Sequence, residues 1–104
     1  LAIPAQGYVD YHDAMKYLYR GDVPIRLTVK EIYRTDAVTW LMGDNDRDTN
    51  FKVVFFPRTY SQFPEEPAKF FKGKTVEVTG LIKIYRGWPE IIVNDAKQIK
   101  IVGK

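Results

Sequence analysis

The sequence predicts a single all-β domain, a small five-stranded barrel with a helix before the first strand and a connector between the third and fourth strands. Two long segments, residues 25–33 and 75–85, alternate apolar and polar side chains as half-buried strands do. Gly80 lies inside the second segment, where it predicts a bulge that bends the strand. Long bent strands that serve more than one neighbour allow a small barrel to close and remove its sheet edges.

The remaining elements are predicted from capping residues, turn residues and changes of hydrophobic period. Asp10 is suited to cap a helix that Gly21 closes, and three prolines between residues 57 and 74 predict a mostly irregular connector. The predicted elements are a helix over 11–19, a hairpin of strands 38–42 and 51–56 around a polar turn at 43–50, a connector over 57–74 with a short helix around Phe70 and Phe71, a turn over 86–89, and strands over 90–93 and 98–102. The short helix is expected to begin at Pro67, since proline suits the first helical position. The apolar positions Val29, Val76, Val78 and Ile82 of the two long segments are expected in the core. The barrel occupies about residues 23–102, so we expect one domain over residues 1–104.

Composition limits the function classes that need to be considered. Apolar residues make up 45% of the 104 residues and charged residues 28%, which is the balance of a packed globular domain. The absence of cysteine excludes disulfides, thiolate metal sites and a cysteine nucleophile. The net charge of +3 and a pI near 9.1 are compatible with a polyanionic partner without requiring one.

The sequence leaves the cellular compartment open. No apolar run approaches the roughly 18 residues that a membrane-spanning helix requires. The sequence begins at Leu1 without an initiator methionine, so we expect that upstream residues were removed. Both a cytoplasmic location and export after loss of an upstream signal fit these observations.

Several short motifs resemble one family of domains. The segments GKTVEVTG (73–80), IYRG (84–87) and PEIIV (89–93) resemble the fourth and fifth strands of bacterial OB-fold nucleic-acid-binding domains. Residues 40–43 and 51–56 are similar to the second and third strands, including those of anticodon-binding OB domains. The resemblance implies a five-stranded OB-fold barrel whose ligand lies across strands two and three, between the loops at 34–37 and 85–89. Polar positions are sparse between Phe51 and Phe56, which departs from a base-reading face.

Basic and aromatic residues alternate with apolar ones on the predicted strands. Single-stranded nucleic acid is held by cations that follow its phosphates and by aromatic rings on which its bases stack. The candidate binding residues are Lys30, Tyr33, Arg34, Trp40, Lys52, Lys83, Tyr85, Arg86 and Trp88. A structural interpretation competes, in which Trp40 fills the barrel and the lysines only solvate its outside. Trp88, in the predicted turn between Gly87 and Pro89, is the strongest candidate, although it could also close the barrel mouth.

Metal binding and catalysis are both disfavoured by the residues present. The acidic turn that begins at Asp44 resembles the start of a calcium loop, but Thr49 replaces the required glycine and Phe55 replaces the bidentate glutamate. The single histidine, His12, and the single serine, Ser61, lie on different segments, which disfavours a catalytic pair of a nucleophile and its general base. We therefore predict no metal, no cofactor and no enzymatic activity. The arrangement of carboxylates and arginines found in the staphylococcal nuclease family is not present.

Three functions follow from these observations, in decreasing order of support. The first is a binding module for single-stranded DNA or RNA with weak sequence preference, because backbone charge and stacking discriminate poorly among bases. The second is a protein-interaction or accessory domain of the same fold, for which export is left open, because fold alone does not decide function. The third is a small nuclease.

Overall fold

Most of the regular structure is β, arranged in two sheets in the computed structural model, which describes residues 1–46 and 50–103. In the described residues the strands are β1 (Val9–Asp10), β2 (Ile25–Thr28), β3 (Glu31–Arg34), β4 (Thr39–Met42), β5 (Lys52–Phe55), β6 (Thr75–Val78), β7 (Lys83–Tyr85), β8 (Trp88–Val93) and β9 (Ile99–Gly103). A four-stranded sheet has the order β1-β2-β6-β9, and a five-stranded sheet has the order β3-β4-β5-β8-β7. The pairs β1–β2 and β5–β8 are parallel, and all other neighbours are antiparallel.

The two long predicted strands pair with each other, but each is divided into two halves. β2 and β6 are antiparallel, in register from Ile25 opposite Val78 to Thr28 opposite Thr75. The first strand is interrupted at Val29 and Lys30: the N–H of Val29 donates to the carbonyl of Lys74, whereas the N–H of Lys30 donates to the carbonyl of Met42. The backbone therefore changes partners between two adjacent residues, and β3 enters the other sheet.

The second long strand divides around Gly80 in the same manner. Residues 79–82 belong to neither sheet, and the N–H of Thr79 donates to Gln98 while the N–H of Ile82 donates to Arg20. The predicted bend at Gly80 thus corresponds to a longer interruption, which separates β6 from β7. The register shift in the β6–β9 pair lies between Thr75 and Val76 and not at Gly80.

The apolar core lies between the sheets and is completed by the connector. Val29, Val76, Val78 and Ile82, four of the residues expected inside, are all buried. The connector forms a 3-10 helix at Pro57–Gln62 and one α-helical turn, α1 (Pro67–Phe70), which starts at a proline as predicted. The core is extended by connector aromatics that pack against β5: Phe71 stacks on Phe55 at 5.8 Å between ring centroids, and Phe63 meets Phe55 edge-on at 5.7 Å.

The N-terminal helix is shorter and tighter than the sequence predicted. It is a 3-10 helix over Tyr11–Tyr17, and its Asp10 cap accepts a hydrogen bond from the N–H of His12. The predicted end at residue 19 is wrong because the backbone of Leu18 is already non-helical, with ψ of 141°, and that of Tyr19 is left-handed, with φ of 65°. The N–H of Tyr19 donates to the carbonyl of Ile82, so the residues after the helix bond to the interruption of the second long strand.

A side-chain amide occupies the space beside Gly80. Gln98 accepts hydrogen bonds from the N–H groups of Asn94 and Asp95 and donates to the carbonyls of Thr79 and Ile92, at 2.7 to 3.2 Å. A Cβ on residue 80 would lie 2.7 Å from Nε2 of Gln98. Glycine is therefore required here by close approach, and the amide of Gln98 satisfies the Thr79 carbonyl of the interrupted strand together with backbone groups at the end of β8 and just after it.

We expect Gly80→Ala to lower the free energy of unfolding by about 1 to 3 kcal/mol, because the methyl group displaces a fully hydrogen-bonded amide. Gly21→Ala is the matched control, since a Cβ there would meet no atom closer than 3.8 Å and the residue is outside the left-handed region. Chemical denaturation of both variants measures the difference. Equal stability of the two variants would contradict the steric role of Gly80.

Candidate functional site

The outer face of the five-stranded sheet carries most of the predicted binding residues. Side chains alternate between the two faces of a strand, and directly paired residues share a face. Leu41, Val53 and Ile91 are paired across the sheet and fully buried, so they point inward. The residues that precede and follow each of them along its strand therefore point outward. The outward rows are Tyr33–Trp40–Val54–Ile92, Lys52–Glu90–Lys83 and Tyr85–Trp88.

An apolar groove of about 420 Å³ runs over this face. Its size lies within the roughly 300 to 1,000 Å³ typical of small-ligand pockets. It is lined by Ala37, Val38, Trp40, Val54, Phe56, Tyr85, Glu90 and Ile92. Among the described residues the lining is aliphatic and aromatic except at Glu90, so a flat apolar ligand with a few polar atoms suits it.

Trp40 is held in place by neighbours on its own face of the sheet. The ring of Tyr33, directly opposite on β3, lies 4.7 Å away between centroids at an interplanar angle of 36°. The ammonium of Lys52 lies 5.1 Å from the centre of the Trp40 ring. These contacts reduce the number of positions available to the indole, so little entropy is lost when a ligand packs against it.

Lys52 is not the exposed cation that the sequence predicted. The residue is 5% exposed, and its ammonium donates a hydrogen bond of 3.1 Å to the carbonyl of Asn50. Its outward direction was predicted from strand alternation, whereas its burial depends on contacts between strands, among them the approach of its ammonium to the Trp40 ring. Lys52 thus contacts the Trp40 ring of the groove lining, and its positive charge lies beneath the surface of the protein.

Glu90 is the most unusual residue of the groove. It is 8% exposed and is paired across the sheet with Lys52 on one side and Lys83 on the other. Burial raises the pKa of its carboxyl group, and the two lysines partly offset this effect. Within residues 1–46 and 50–103, no side chain or backbone group forms an ion pair or hydrogen bond with this carboxylate.

The Glu90 carboxylate nevertheless reaches solvent. Across the described part of the chain, no fully buried side-chain oxygen or nitrogen lacks a hydrogen-bond partner. An unpartnered carboxylate must therefore have some accessible surface, and Glu90 lines the groove. A ligand in the groove could approach its oxygen atoms directly.

The other predicted cations are divided between the groove and other surfaces. Lys83 is half-buried beside Glu90, and the guanidinium of Arg86 lies 5.2 Å from the ring centre of Tyr85. Arg34 is paired with Glu66 through two contacts of 2.9 and 3.0 Å, an interaction that raises the pKa of the guanidinium. Lys30 lines a separate polar pocket beside Arg26 and Asp44. The structure therefore places Lys83 and Arg86, but neither Lys30 nor Arg34, next to residues of the groove.

Trp88 lies in a strand and not in a turn. Arg86 and Gly87 both have left-handed backbones, with φ of 52° and 86°, and form the two-residue turn of the β7–β8 hairpin. Trp88 is therefore the first residue of β8, paired with Tyr85 and 38% exposed. It lines a smaller pocket of about 110 Å³ with the N-terminal residues Tyr11 and Met15.

Several groove residues were not identified from the sequence. Val54, Phe56 and Ile92 point outward although they are apolar, and Glu90 lies among them. A signal was present, since residues 51–56 are apolar at nearly every position, which indicates a strand with both faces covered. The alternation of Trp88, Glu90 and Ile92 along β8 was a second signal.

In the described part of the chain, His12 lies between two carboxylates. Nδ1 of His12 lies 2.6 Å from a carboxylate oxygen of Asp10, and its Nε2 lies 3.6 Å from Asp44. Among the described residues, no group of three or more metal-ligating side chains is placed to hold an ion. Residues 47–49 of the calcium-like turn lie outside the described residues. No described helix is long and apolar enough to cross a membrane.

We expect the stability of the Glu90→Gln variant relative to the parent to increase from about pH 4 to about pH 7. Because the pKa of Glu90 is raised on folding, the folded state binds more protons than the unfolded state above the ordinary glutamate pKa, and stability falls as pH rises through that window. Denaturation at both pH values measures this change. Glu65→Gln, at an exposed position, is the control, and a pH-independent difference for Glu90→Gln would refute the effect.

Comparisons with known proteins show similarity at the level of fold. No family model matches the chain, and no curated protein matches it. A solved structure assigned as an aspartyl-tRNA synthetase from Leishmania major Friedlin superposes with a TM-score of 0.61 at 13% identity. The match covers 99% of this chain and 22% of that one, so the chain spans well under two thirds of the length of its structural relative. The chain is therefore similar in fold to one segment of a larger protein.

Proposed function

We propose that the chain is a non-enzymatic OB-fold module that binds single-stranded nucleic acid across the outer face of the five-stranded sheet. The observation that carries the proposal is the groove lined by Trp40 and Tyr85, with Lys83 and Arg86 beside it. Aromatic platforms next to cations are the combination that binds bases and phosphates of a flexible strand. A duplex would not present its base faces to such a groove.

The order of strand pairing supports an OB barrel. Counting β2 with β3 and β6 with β7 as single bent strands leaves five segments, at 25–34, 39–42, 52–55, 75–85 and 88–93. Each segment has two hydrogen-bonded neighbours among the other four, so the pairing forms a ring. A ring of five strands is the arrangement of a small barrel of this class.

The position of the groove also supports the proposal. OB domains bind oligonucleotides across strands two and three, between the loop that follows strand one and the loop that follows strand four. Here the groove contains Trp40 and Val54 from the corresponding strands, Ala37 and Val38 from the first loop, and Tyr85 at the start of the second loop. The structural relative bears the name of an enzyme that acts on a tRNA, which is consistent with a nucleic-acid ligand.

The apolar lining favours a second candidate, a protein-interaction domain of the same fold. Of the described residues that line the groove, one is charged, and Arg34 is already paired with Glu66. Retention on a single-stranded DNA resin over a salt gradient, compared with a sulfonate resin, separates the two functions. Elution at distinctly higher salt from the DNA resin supports the nucleic-acid module, whereas equal elution at low salt would favour a protein partner.

We expect Tyr85→Ala to weaken binding of a short oligonucleotide by about 1 to 3 kcal/mol, because one base loses its stacking platform. Stability should change little, since Tyr85 is 42% exposed. Fluorescence anisotropy and thermal melting measure the two quantities separately. The control is Tyr19→Ala, which removes an exposed tyrosine (69%) that does not line the groove. An equal loss of affinity in the control would show that Tyr85 is not a specific platform.

We expect the double substitution Lys83→Gln and Arg86→Gln to weaken binding of different oligonucleotides by similar factors, because phosphate contacts carry no base information. Each lost contact should reduce the slope of log affinity against log salt by about 0.7. Lys97→Gln with Lys100→Gln removes the same charge from exposed positions at and before β9. If the control pair reduces the slope as much as the test pair does, the effect comes from the net charge of the protein and not from direct phosphate contacts of Lys83 and Arg86.

A further inference from the structure

The groove contains a carboxylate that receives no hydrogen bond or ion pair from the described residues, although two lysines lie near enough to attract it. Glu90 is more than nine-tenths buried, and the described residues supply no hydrogen bond or ion pair to its side chain. Burying a charged group without a partner is costly, and such groups in native proteins commonly serve a ligand. Because the carboxylate lines the groove and retains some accessible surface, a bound ligand is the available source of a donor.

The surroundings of Glu90 restrict the shape of that ligand. The same groove is lined by the aromatic rings of Trp40 and Tyr85 and by the aliphatic side chains of Val54 and Ile92. A flat ring that stacks against the aromatics would have its edge near the carboxylate. Bases of single strands are recognised in this way, by stacking on aromatic side chains and hydrogen bonding along the Watson–Crick edge.

Building on the proposed nucleic-acid function, we propose that Glu90 makes the groove a base-selective subsite that accepts guanine in preference to thymine or uracil. An ionised carboxylate offers two acceptor oxygens and no donor. The Watson–Crick edge of guanine presents two adjacent donors, the ring N1–H and the 2-amino group, which match those two oxygens. Thymine and uracil present one N–H between two carbonyl oxygens, which the carboxylate repels.

The donors on the Watson–Crick edges of the other bases give the rest of the expected order of affinity. Adenine and cytosine each present one amino donor beside a ring acceptor, so they should bind between guanine and thymine. Lys83 is the cross-strand neighbour of Glu90, and we assign its ammonium to a backbone phosphate, a contact that is the same for every base. The ranking of the bases therefore depends on the carboxylate, which complements the two adjacent donors of guanine better than the donors of any other base.

The test uses oligothymidylates of roughly nine nucleotides, within the site size of one OB domain, in which one central thymine is replaced. The replacements are guanine, hypoxanthine, cytosine and adenine, and anisotropy at about pH 8 measures affinity for the unmodified protein. We expect guanine to improve binding about tenfold over thymine, the scale of one good carboxylate–base contact. Hypoxanthine lacks the 2-amino group and should lose most of this gain, which tests the contact without altering the protein.

The Glu90→Gln variant tests the residue itself. A glutamine amide pairs well with thymine, by accepting from N3–H and donating to a carbonyl, so the guanine preference should disappear or reverse. Glu65→Gln removes the same charge from an exposed position in the connector and should keep the preference. Thermal melting of both variants verifies that they are folded.

The outcomes separate this inference from the function on which it rests. If no oligonucleotide binds the unmodified protein, the proposed nucleic-acid function fails and the inference fails with it. If all oligonucleotides bind equally, or hypoxanthine binds as well as guanine, the nucleic-acid function stands and the guanine subsite is wrong. Retention of the preference by Glu90→Gln would likewise exclude Glu90 as the selective residue.

Discussion

The antiparallel pairing of β2 with β6 is the interaction on which the rest of the structure depends. Its four residue pairs, from Ile25 opposite Val78 to Thr28 opposite Thr75, fix the first halves of both long strands in one sheet. The second halves, β3 and β7, then become the two edges of the other sheet. Interruptions at 29–30 and 79–82 make this possible. The backbone groups there bond to the connector, β4, Arg20 and Gln98 and do not continue the β2–β6 ladder.

The groove follows from that arrangement. Since β3 and β7 are edge strands, Tyr33 and Tyr85 lie at opposite sides of one outer face, and the central strands place Trp40, Val54 and Ile92 between them. A row of outward apolar side chains would be unusual on a plain solvated sheet, where outward positions are generally polar. The two lysines and one glutamate that cross this face form a second row, so apolar surface and charge are adjacent.

Sequence reasoning predicted the strands and most of the core because both depend on local patterns. The period of two at 25–33 and 75–85, the helix start at Pro67 and the Asp10 cap each rest on residues close in sequence, and each is present. Whether a single site residue is exposed, buried or already paired could not be predicted in this way. Arg34 was a candidate phosphate contact, yet Glu66, 32 residues later, already pairs with it.

The sequence by itself determined that the chain forms paired β-strands with Gly80 at a bend, because alternation and glycine placement act over a few residues. Only the tertiary structure decided which outward residues form a site. Lys52 is buried beneath a tryptophan of the neighbouring strand, and Trp88 belongs to a strand because two left-handed residues close its hairpin. Glu90 acquired its unusual position because β8 lies between β5 and β7, which places one carboxylate between two lysines inside an apolar groove. Such properties depend on contacts between residues distant in sequence, which local patterns do not encode.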